Sequence, residues 1–277
     1  MNFDKVLITG ADGMVGSYID FGIKTNRRSL DITDLKETLS IIEKYKPEAI
    51  INLAAETDVD RCERDPEYAY FVNSIGAYHV AYAARKIGAK LVHISTAGVF
   101  DGEKERPYNE EDIPNPQNYY GHSKYLGELA IREMLPEGDF IIARAGWMFG
   151  GGPKKDQKFV AKIIKQFDQK TIFAVNDKIG SPTYAKDLVG AIKKLLEDNK
   201  SGIYHLCNYG VCSRYDVALK IKETLKSDIE IKSVDSSYFN LDANRTKSEA
   251  MDSRVKIMRP WEDALADYLR TEWNHIN

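Results

Sequence analysis

Two kinds of hydroxyl and one amine carry most of the chemistry that this chain advertises. Tyr120 and Lys124 stand four apart in Tyr119-Tyr120-Gly121-His122-Ser123-Lys124, so on a helix they share one face. A protonated lysine beside a tyrosine favours the phenolate and lowers the phenol's pKa, which makes the tyrosine a usable proton donor near neutrality. The spacing alone is cheap, because Tyr82 and Lys86 repeat it in a chain with 16 tyrosines. Position separates the two pairs. Tyr82 and Lys86 lie inside a helical run with no turn nearby, whereas Tyr120 and Lys124 open a helix about 25 residues after an apolar run that ends in Ser95-Thr96. A hydroxyl from Ser95 or Thr96 beside Tyr120 and Lys124 makes a set of groups that can hold a carbonyl oxygen and protonate it.

Such a set needs a reductant, and the N-terminus supplies a seat for one. The apolar run Val6-Leu7-Ile8 leads into Gly10-Ala11-Asp12-Gly13-Met14-Val15-Gly16. In a dinucleotide-binding turn, Gly10 allows the sharp bend, Gly13 lets backbone N–H groups approach a pyrophosphate, and Gly16 allows close packing of the next helix. A helix over Ser17 to Lys24 would then present its positive end to the anion. Such folds place an acidic residue about 20 positions past the first glycine, and Asp31 falls 21 positions after Gly10. Only 14 residues separate Gly16 from Asp31, so the second strand is expected to be short or absent. Arg27 and Arg28 either hold a 2′-phosphate or are simply solvated, which leaves NADH and NADPH both open.

The rest of the first half alternates. Thr33 or Asp34 caps a helix to Tyr45, and Ala49-Ile50-Ile51-Asn52-Leu53-Ala54-Ala55 is a strand covered on both faces. A long helix runs from Pro66 to Lys86 and stops at Gly88, followed by strands at Lys90 to Thr96 and Phe140 to Arg144. This order predicts an α/β protein with a Rossmann-like, doubly wound parallel sheet whose ligands lie at the carboxyl ends of the strands. Residues 1–150 are read as the NAD(P)-binding core, with later segments returning to it. Residues 151–277 are read mainly as a small C-terminal substrate-binding lobe. It holds helices at Phe159 to Phe167, Asp187 to Leu196, Arg214 to Leu225 and Trp261 to Trp273, and strands at Thr171 to Val175 and Ile203 to Leu206.

Composition narrows the class. With 39 Lys and Arg against 42 Asp and Glu, the net charge of −3 gives no basic face for nucleic acid. No apolar run approaches the ~20 residues of a membrane span, and no signal peptide is visible, so a cytoplasmic protein is expected. Cys62, Cys207 and Cys212 form neither a C-x-x-C pair nor a disulfide framework, and are read as structural thiols. His79, His93, His122, His205 and His275 lack ligand spacing, so no metal site is expected.

Taken together, these stretches resemble a family: the extended short-chain dehydrogenase/reductases, and within them the dTDP-4-dehydrorhamnose reductase group. The resemblance rests on the glycine turn, Leu30-Asp31-Ile32-Thr33-Asp34, Ile51 to Asp60, Val99-Phe100-Asp101-Gly102, Tyr120 to Glu128, Arg144-Ala145-Gly146-Trp147 and Gly180-Ser181-Pro182-Thr183. It implies that Thr96 bonds the substrate keto oxygen, that Tyr120 protonates it, and that Lys124 bonds the nicotinamide ribose and tunes Tyr120. It places the cofactor along Gly10, Ala11, Asp12, Gly13, Met14, Val15, Asp31, Ile32, Leu53, Ala54, Ala55 and Thr57. Arg27 lies beside it, and Ser95, Tyr120 and Lys124 meet its nicotinamide end. Trp147 and Arg245 would face a nucleoside-diphosphate sugar whose C4 keto group is reduced.

The resemblance allows a homodimer and implies neither nucleic acid nor membrane as partner. One departure bears on specificity. The family reads Ser-Thr-Asp-Tyr-Val-Phe-Asp-Gly where this chain has Ser95-Thr96-Ala97-Gly98-Val99-Phe100-Asp101-Gly102, which removes two polar side chains and opens space. An epimerase or epimerase/reductase on the same scaffold is the near alternative. A non-catalytic NAD(P)-binding regulatory subunit is the distant one.

Overall fold

A computed structural model describes residues 1–273. His275 lies outside the described residues. Six parallel strands form the central sheet: β1 (Val6–Thr9), β2 (Ile23–Lys24), β3 (Ala49–Asn52), β4 (Lys90–Thr96), β5 (Phe140–Ala145) and a late strand, Gly202–His205. Their spatial order is Gly202–His205, β5, β4, β3, β1, β2. Every residue of β1, β3 and β5 is buried, which is why these strands read as continuous apolar runs. The helices Leu35–Tyr45, Gly76–Ile87 and Tyr119–Met134 cover one face, against Leu7, Ile50, Leu91 and Ile142. The helix Ala185–Glu197 covers the other, against Val6, Ile8, Ile51, Val92 and Ile94. The sheet is doubly wound, as the alternation predicts.

The helix expected over Ser17 to Lys24 does not form. Gly16–Tyr18 makes one 3-10 turn, and Ile23–Lys24 already belongs to β2. Gly22 explains the change. It sits at φ +74°, where a helix cannot continue, and a Cβ there would stand 2.4 Å from the Val6 carbonyl oxygen. The chain turns back against β1 after a handful of residues and leaves no length for a helix. Phe3, Tyr18 and Phe21 pack against the helix Ala185–Glu197 instead, with the Lys193 ammonium 5.2 Å from the Phe3 ring centre.

The long helix after Pro66 is also interrupted. Pro66–Tyr70 and Gly76–Ile87 are α-helical, but Phe71–Ile75 between them is a π-turn. Such bulges re-aim side chains and recur at functional sites.

The second half serves two purposes. The segment from Ala185 to His205 completes the sheet, whereas Phe159–Ile164, Arg214–Leu225 and Trp261–Glu272 enclose a separate apolar core. Beside them the strand Thr171–Val175 pairs in parallel with Glu230–Val234, a strand that the sequence did not announce.

Candidate active site

The glycine turn is shaped by close approach. Gly10 has φ +61°, and a Cβ on it would lie 2.8 Å from the Ala54 nitrogen; a Cβ on Gly16 would lie 2.2 Å from the Ala11 carbonyl oxygen. The Ala11 amide is tied to the Thr25 carbonyl and the Gly13 amide to the Gly10 carbonyl. The amides of Asp12, Met14 and Val15 have no acceptor among the described residues. They make a short row of free donors beside the small residues Ala54 and Ala55, which suits the oxygens of a pyrophosphate. No α-helix follows to lend its dipole, so the donors here are individual amides.

Around this row the residues singled out in the sequence gather. Asp31 accepts from the Thr33 amide at 3.0 Å and from its hydroxyl at 2.7 Å. Burial works against its charge, but those bonds and the Arg27 cation hold the carboxyl below its usual range. Arg27 lies 3.5 Å from Asp31 and donates to the Tyr68 hydroxyl at 2.8 Å. Ile32 is buried, and its carbonyl accepts from His79 at 2.9 Å. Leu53 is half-buried at the end of β3. Two lysines that the sequence did not flag cross the same region. Lys155 donates to the Asp12 carbonyl, and Lys158 reaches the Thr57 carbonyl at 3.0 Å and its hydroxyl at 3.2 Å.

The catalytic candidates meet at the carboxyl end of β4. Thr96 ends the strand with its hydroxyl accepting from the Gly98 amide at 3.0 Å, and the Tyr120 hydroxyl lies against it. Asn118 caps the helix that carries Tyr120 and Lys124 by accepting from the Gly121 amide at 2.8 Å. Gly121 is tight against the Gly98 carbonyl, 2.0 Å from where a Cβ would stand, so this helix start is pressed onto the end of β4. The other pair, Tyr82 and Lys86, is remote from this corner, with Lys86 reaching Glu43 at 3.8 Å.

Lys124 is anchored to the end of β4. Its ammonium donates to the Ile94 carbonyl at 2.6 Å and lies 3.4 Å from His93 Nε2. Burial lowers it to about 8, and burial pushes the Tyr120 phenol up to about 12. The tyrosine is therefore a protonated acid at neutral pH. Behind Lys124 runs a buried polar chain across three strands. His93 contacts the Asn52 side chain at 3.1 Å, and Asn52 accepts from the Thr9 hydroxyl at 2.6 Å. Burial and the neighbouring Lys124 cation keep His93 neutral, far below its usual pKa.

Asn73 is a second residue that the sequence did not single out. The π-turn aims it at two elements of the site. Its side chain bonds the Glu56 backbone through both the amide, at 2.9 Å, and the carbonyl, at 3.1 Å, and donates to the Ser123 hydroxyl at 3.0 Å. It thereby joins the chain after β3 to the helix of Tyr120.

Two expected residues have their side chains engaged by partners within the protein. Ser95 is buried and donates to Glu128 at 2.5 Å, within a fully enclosed ion pair between Glu128 and Arg144. It faces away from the Thr96–Tyr120 corner because successive strand residues point to opposite faces. Arg245 is engaged with Asp60 at 2.9 Å and with the Ala243 carbonyl, which ties its loop to the helix Val59–Arg64. Trp147 donates through its Nε1 to Glu249 Oε2 at 2.5 Å. The Arg214 guanidinium stacks on that indole, 3.7 Å from the ring centre, and lies 4.9 Å from that of Phe159. It forms no ion pair or hydrogen bond among the described residues, and burial lowers it only to about 10, so it stays a cation.

Cys62, Cys207 and Cys212 are all buried free thiols. Among the described residues no cluster of His, Cys, Asp and Glu is placed to hold a metal, and no helix is long and apolar enough to cross a membrane.

A glycine turn at β1, small residues after β3, and Thr96, Tyr120 and Lys124 at the end of β4 and on the following helix define an extended short-chain dehydrogenase/reductase. Within that class the chain belongs to the dTDP-4-dehydrorhamnose reductase family, since residues 4–273 match the family model described as the RmlD substrate binding domain. The chain is 37% identical to the spore coat polysaccharide biosynthesis protein SpsK of Bacillus subtilis, over 96% of this chain and 97% of that one. It is 34% identical to the dTDP-4-dehydrorhamnose reductase of Mycobacterium tuberculosis, over 98% and 94%. The crystal structure of dTDP-4-dehydrorhamnose reductase from Bacillus anthracis in complex with NADP superposes with a TM-score of 0.91 at 33% identity, covering 96% of this chain and 98% of that one.

Proposed function

We propose that this chain reduces the C4 keto group of a nucleoside-diphosphate 4-keto-6-deoxy sugar with NAD(P)H, in the supply of deoxysugars for polysaccharide. The observation that carries this reading is the meeting of Thr96 and Tyr120 at the end of β4, within a family of sugar-nucleotide reductases. The reading has further support from the NADP bound by the Bacillus anthracis relative. It also draws on a Streptomyces niveus relative, 33% identical over 81% of this chain, named dTDP-4-keto-6-deoxy-D-glucose reductase.

The free amides of Asp12, Met14 and Val15 hold the dinucleotide's pyrophosphate, and Asp31 and Arg27 lie at its adenosine end. When bound, the nicotinamide supplies the hydride. The chain's own residues handle the oxygen and its proton. Thr96 donates to the keto oxygen and fixes it beside Tyr120, whose phenol transfers its proton as negative charge develops there. Lys124, a buried cation, bonds the nicotinamide ribose and compensates the phenolate that Tyr120 leaves behind. Trp147 forms one wall of the sugar pocket. The reaction is placed in the cytoplasm, with the chain as a monomer or homodimer and without nucleic acid or membrane.

The test follows NADH and NADPH absorbance with dTDP-, UDP-, GDP- and CDP-4-keto-6-deoxy sugars. Turnover is expected with at least one, and Tyr120→Phe should lower kcat by roughly 10²–10⁴-fold while dinucleotide affinity is kept. Absence of oxidation with every sugar, alongside intact dinucleotide binding, overturns the reading.

A further inference from the structure

Glu249 is a carboxylate that the fold delivers to the edge of the Thr96–Tyr120 corner, and its two oxygens are in different situations. It comes from the short strand Ser248–Glu249, which pairs in parallel with Ile179–Gly180 and sets Glu249 opposite Gly180. Gly180 lets the Trp147 indole lie flat on the backbone, since a Cβ there would be 2.5 Å from that ring. The indole is thus held between Gly180 and the Arg214 guanidinium, and its Nε1 occupies Glu249 Oε2. Oε1 carries no hydrogen bond among the described residues. It lies 3.7 Å from the position a Cβ on Gly98 would take, and that position is 3.4 Å from Thr96 Oγ1. The free oxygen is therefore no more than about 7 Å from the hydroxyl that holds the carbonyl. Two hydrogen bonds of about 2.8 Å and one pair of neighbouring sugar oxygens span that distance.

The same geometry accounts for Ala97 and Gly98. A tyrosine at position 98, as the family pattern has it, would project from a Cβ already in contact with Glu249 and Thr96. Gly98 clears the volume, Glu249 stands in it, and the unpaired Arg214 supplies the opposite charge from the far side of Trp147.

We propose that Glu249 is a specificity-determining residue, whose free Oε1 accepts a hydrogen bond from a hydroxyl on the sugar carbon next to the carbonyl being reduced. The proposal rests on the reductase reading for the identity of the carbonyl. It extends it by naming the substituent read and the residue that reads it. Trp147 acts through Glu249 as a positioning residue. A carboxylate leaves no good partner for a ring lacking that hydroxyl, because it would be buried against bare carbon with one oxygen unsatisfied.

The experiment compares a dTDP-4-keto-6-deoxy sugar with its 3-deoxy counterpart, using wild type, Glu249→Ala and Glu249→Gln. Dissociation constants come from calorimetric titration and kcat/KM from NADPH oxidation. Wild type should favour the hydroxylated sugar by about tenfold or more in both quantities. Glu249→Ala should bring the ratio to within about twofold of unity. Glu249→Gln, which keeps the shape and an acceptor, should fall between and serves if the alanine variant does not fold. A wild type without preference, or a ratio unchanged in both variants, overturns the proposal. So does solvent deuterium entering the sugar ring in wild type but not in Glu249→Gln, because Glu249 would then be a base. If wild type oxidises no NADPH, the reductase reading fails on its own, and the ratio of dissociation constants still decides the role of Glu249.

Discussion

Replacing Lys124 by methionine should move stability and activity in opposite directions, and both movements should depend on pH. Lys124 is 2% exposed, and burial pulls its ammonium from 10.5 to about 8. At ~1.4 kcal/mol per pH unit, that difference sets about 3 kcal/mol against folding when both folded and unfolded chains carry the proton. The hydrogen bond to the Ile94 carbonyl returns about 1 kcal/mol, so Lys124→Met should be more stable than wild type by about 2 kcal/mol at pH 7. For a chain of this size that raises Tm by about 4–8 °C.

The pH window follows from the direction of the shift. Between about 8 and 10.5 the unfolded chain binds a proton that the folded chain has released, so the Lys124 contribution to stability rises with pH. The variant's advantage should therefore shrink from pH 7 to pH 10. Activity should run the other way. Wild-type kcat/KM should fall as pH rises through about 8, while Tyr120, at about 12, stays protonated throughout. Lys124→Arg keeps the cation and should lose that alkaline limb, even at a lower rate. Urea unfolding at pH 7, 8.5 and 10, with NADPH oxidation over the same range, measures both. A stability difference that ignores pH, or an alkaline limb that survives in Lys124→Arg, refutes the reasoning.

Arg27→Ala should weaken NADPH by roughly tenfold more than NADH, the worth of one charge-assisted contact to a 2′-phosphate; equal losses in fluorescence titrations would remove Arg27 from cofactor selection. Glu128→Ala should lower stability by about 3–5 kcal/mol and Tm by about 6–20 °C, because it leaves Arg144 buried without its 2.7 Å partner. The paired change Glu128→Met with Arg144→Met should recover most of that loss, and a double variant as unstable as the single would show that the charge is not what matters.

The sheet was legible because its strands are covered on both faces and read as unbroken apolar runs. The glycine turn, Thr96, Tyr120 and Lys124 were legible because each pairs a residue type with a fixed place relative to a strand. What stayed hidden depends on tertiary contact. The lost helix after Gly16 turns on Gly22 meeting the Val6 carbonyl, although the shortness of the segment up to Asp31 hinted at it. The π-turn that aims Asn73 leaves no periodic trace. Its one hint was a polar residue amid an apolar helix face. Glu249 and Arg214 sit in polar stretches 35 residues apart and acquire meaning only on either side of Trp147. Ser95 and Arg245 show the reverse, since a suitable side chain can be engaged by a nearer partner, Glu128 in one case and Asp60 in the other.

The lost helix also sets the order in which the chain can fold as it is synthesised. The sheet face formed by Val6, Ile8, Ile51 and Val92 is roofed mainly by Ala185–Glu197, with Val15 and Ile19 from the chain between β1 and β3 packed into the same core. At ~5–20 residues per second, about 5–20 s pass between the emergence of Thr96 and that of Glu197. Throughout that interval the strands up to β4 have emerged while the helix that covers most of their apolar side has not. Such an intermediate is a natural ligand for chaperones that hold unfolded chains. A ribosome stalled before residue 185 would expose a sticky half-sheet rather than a small finished domain.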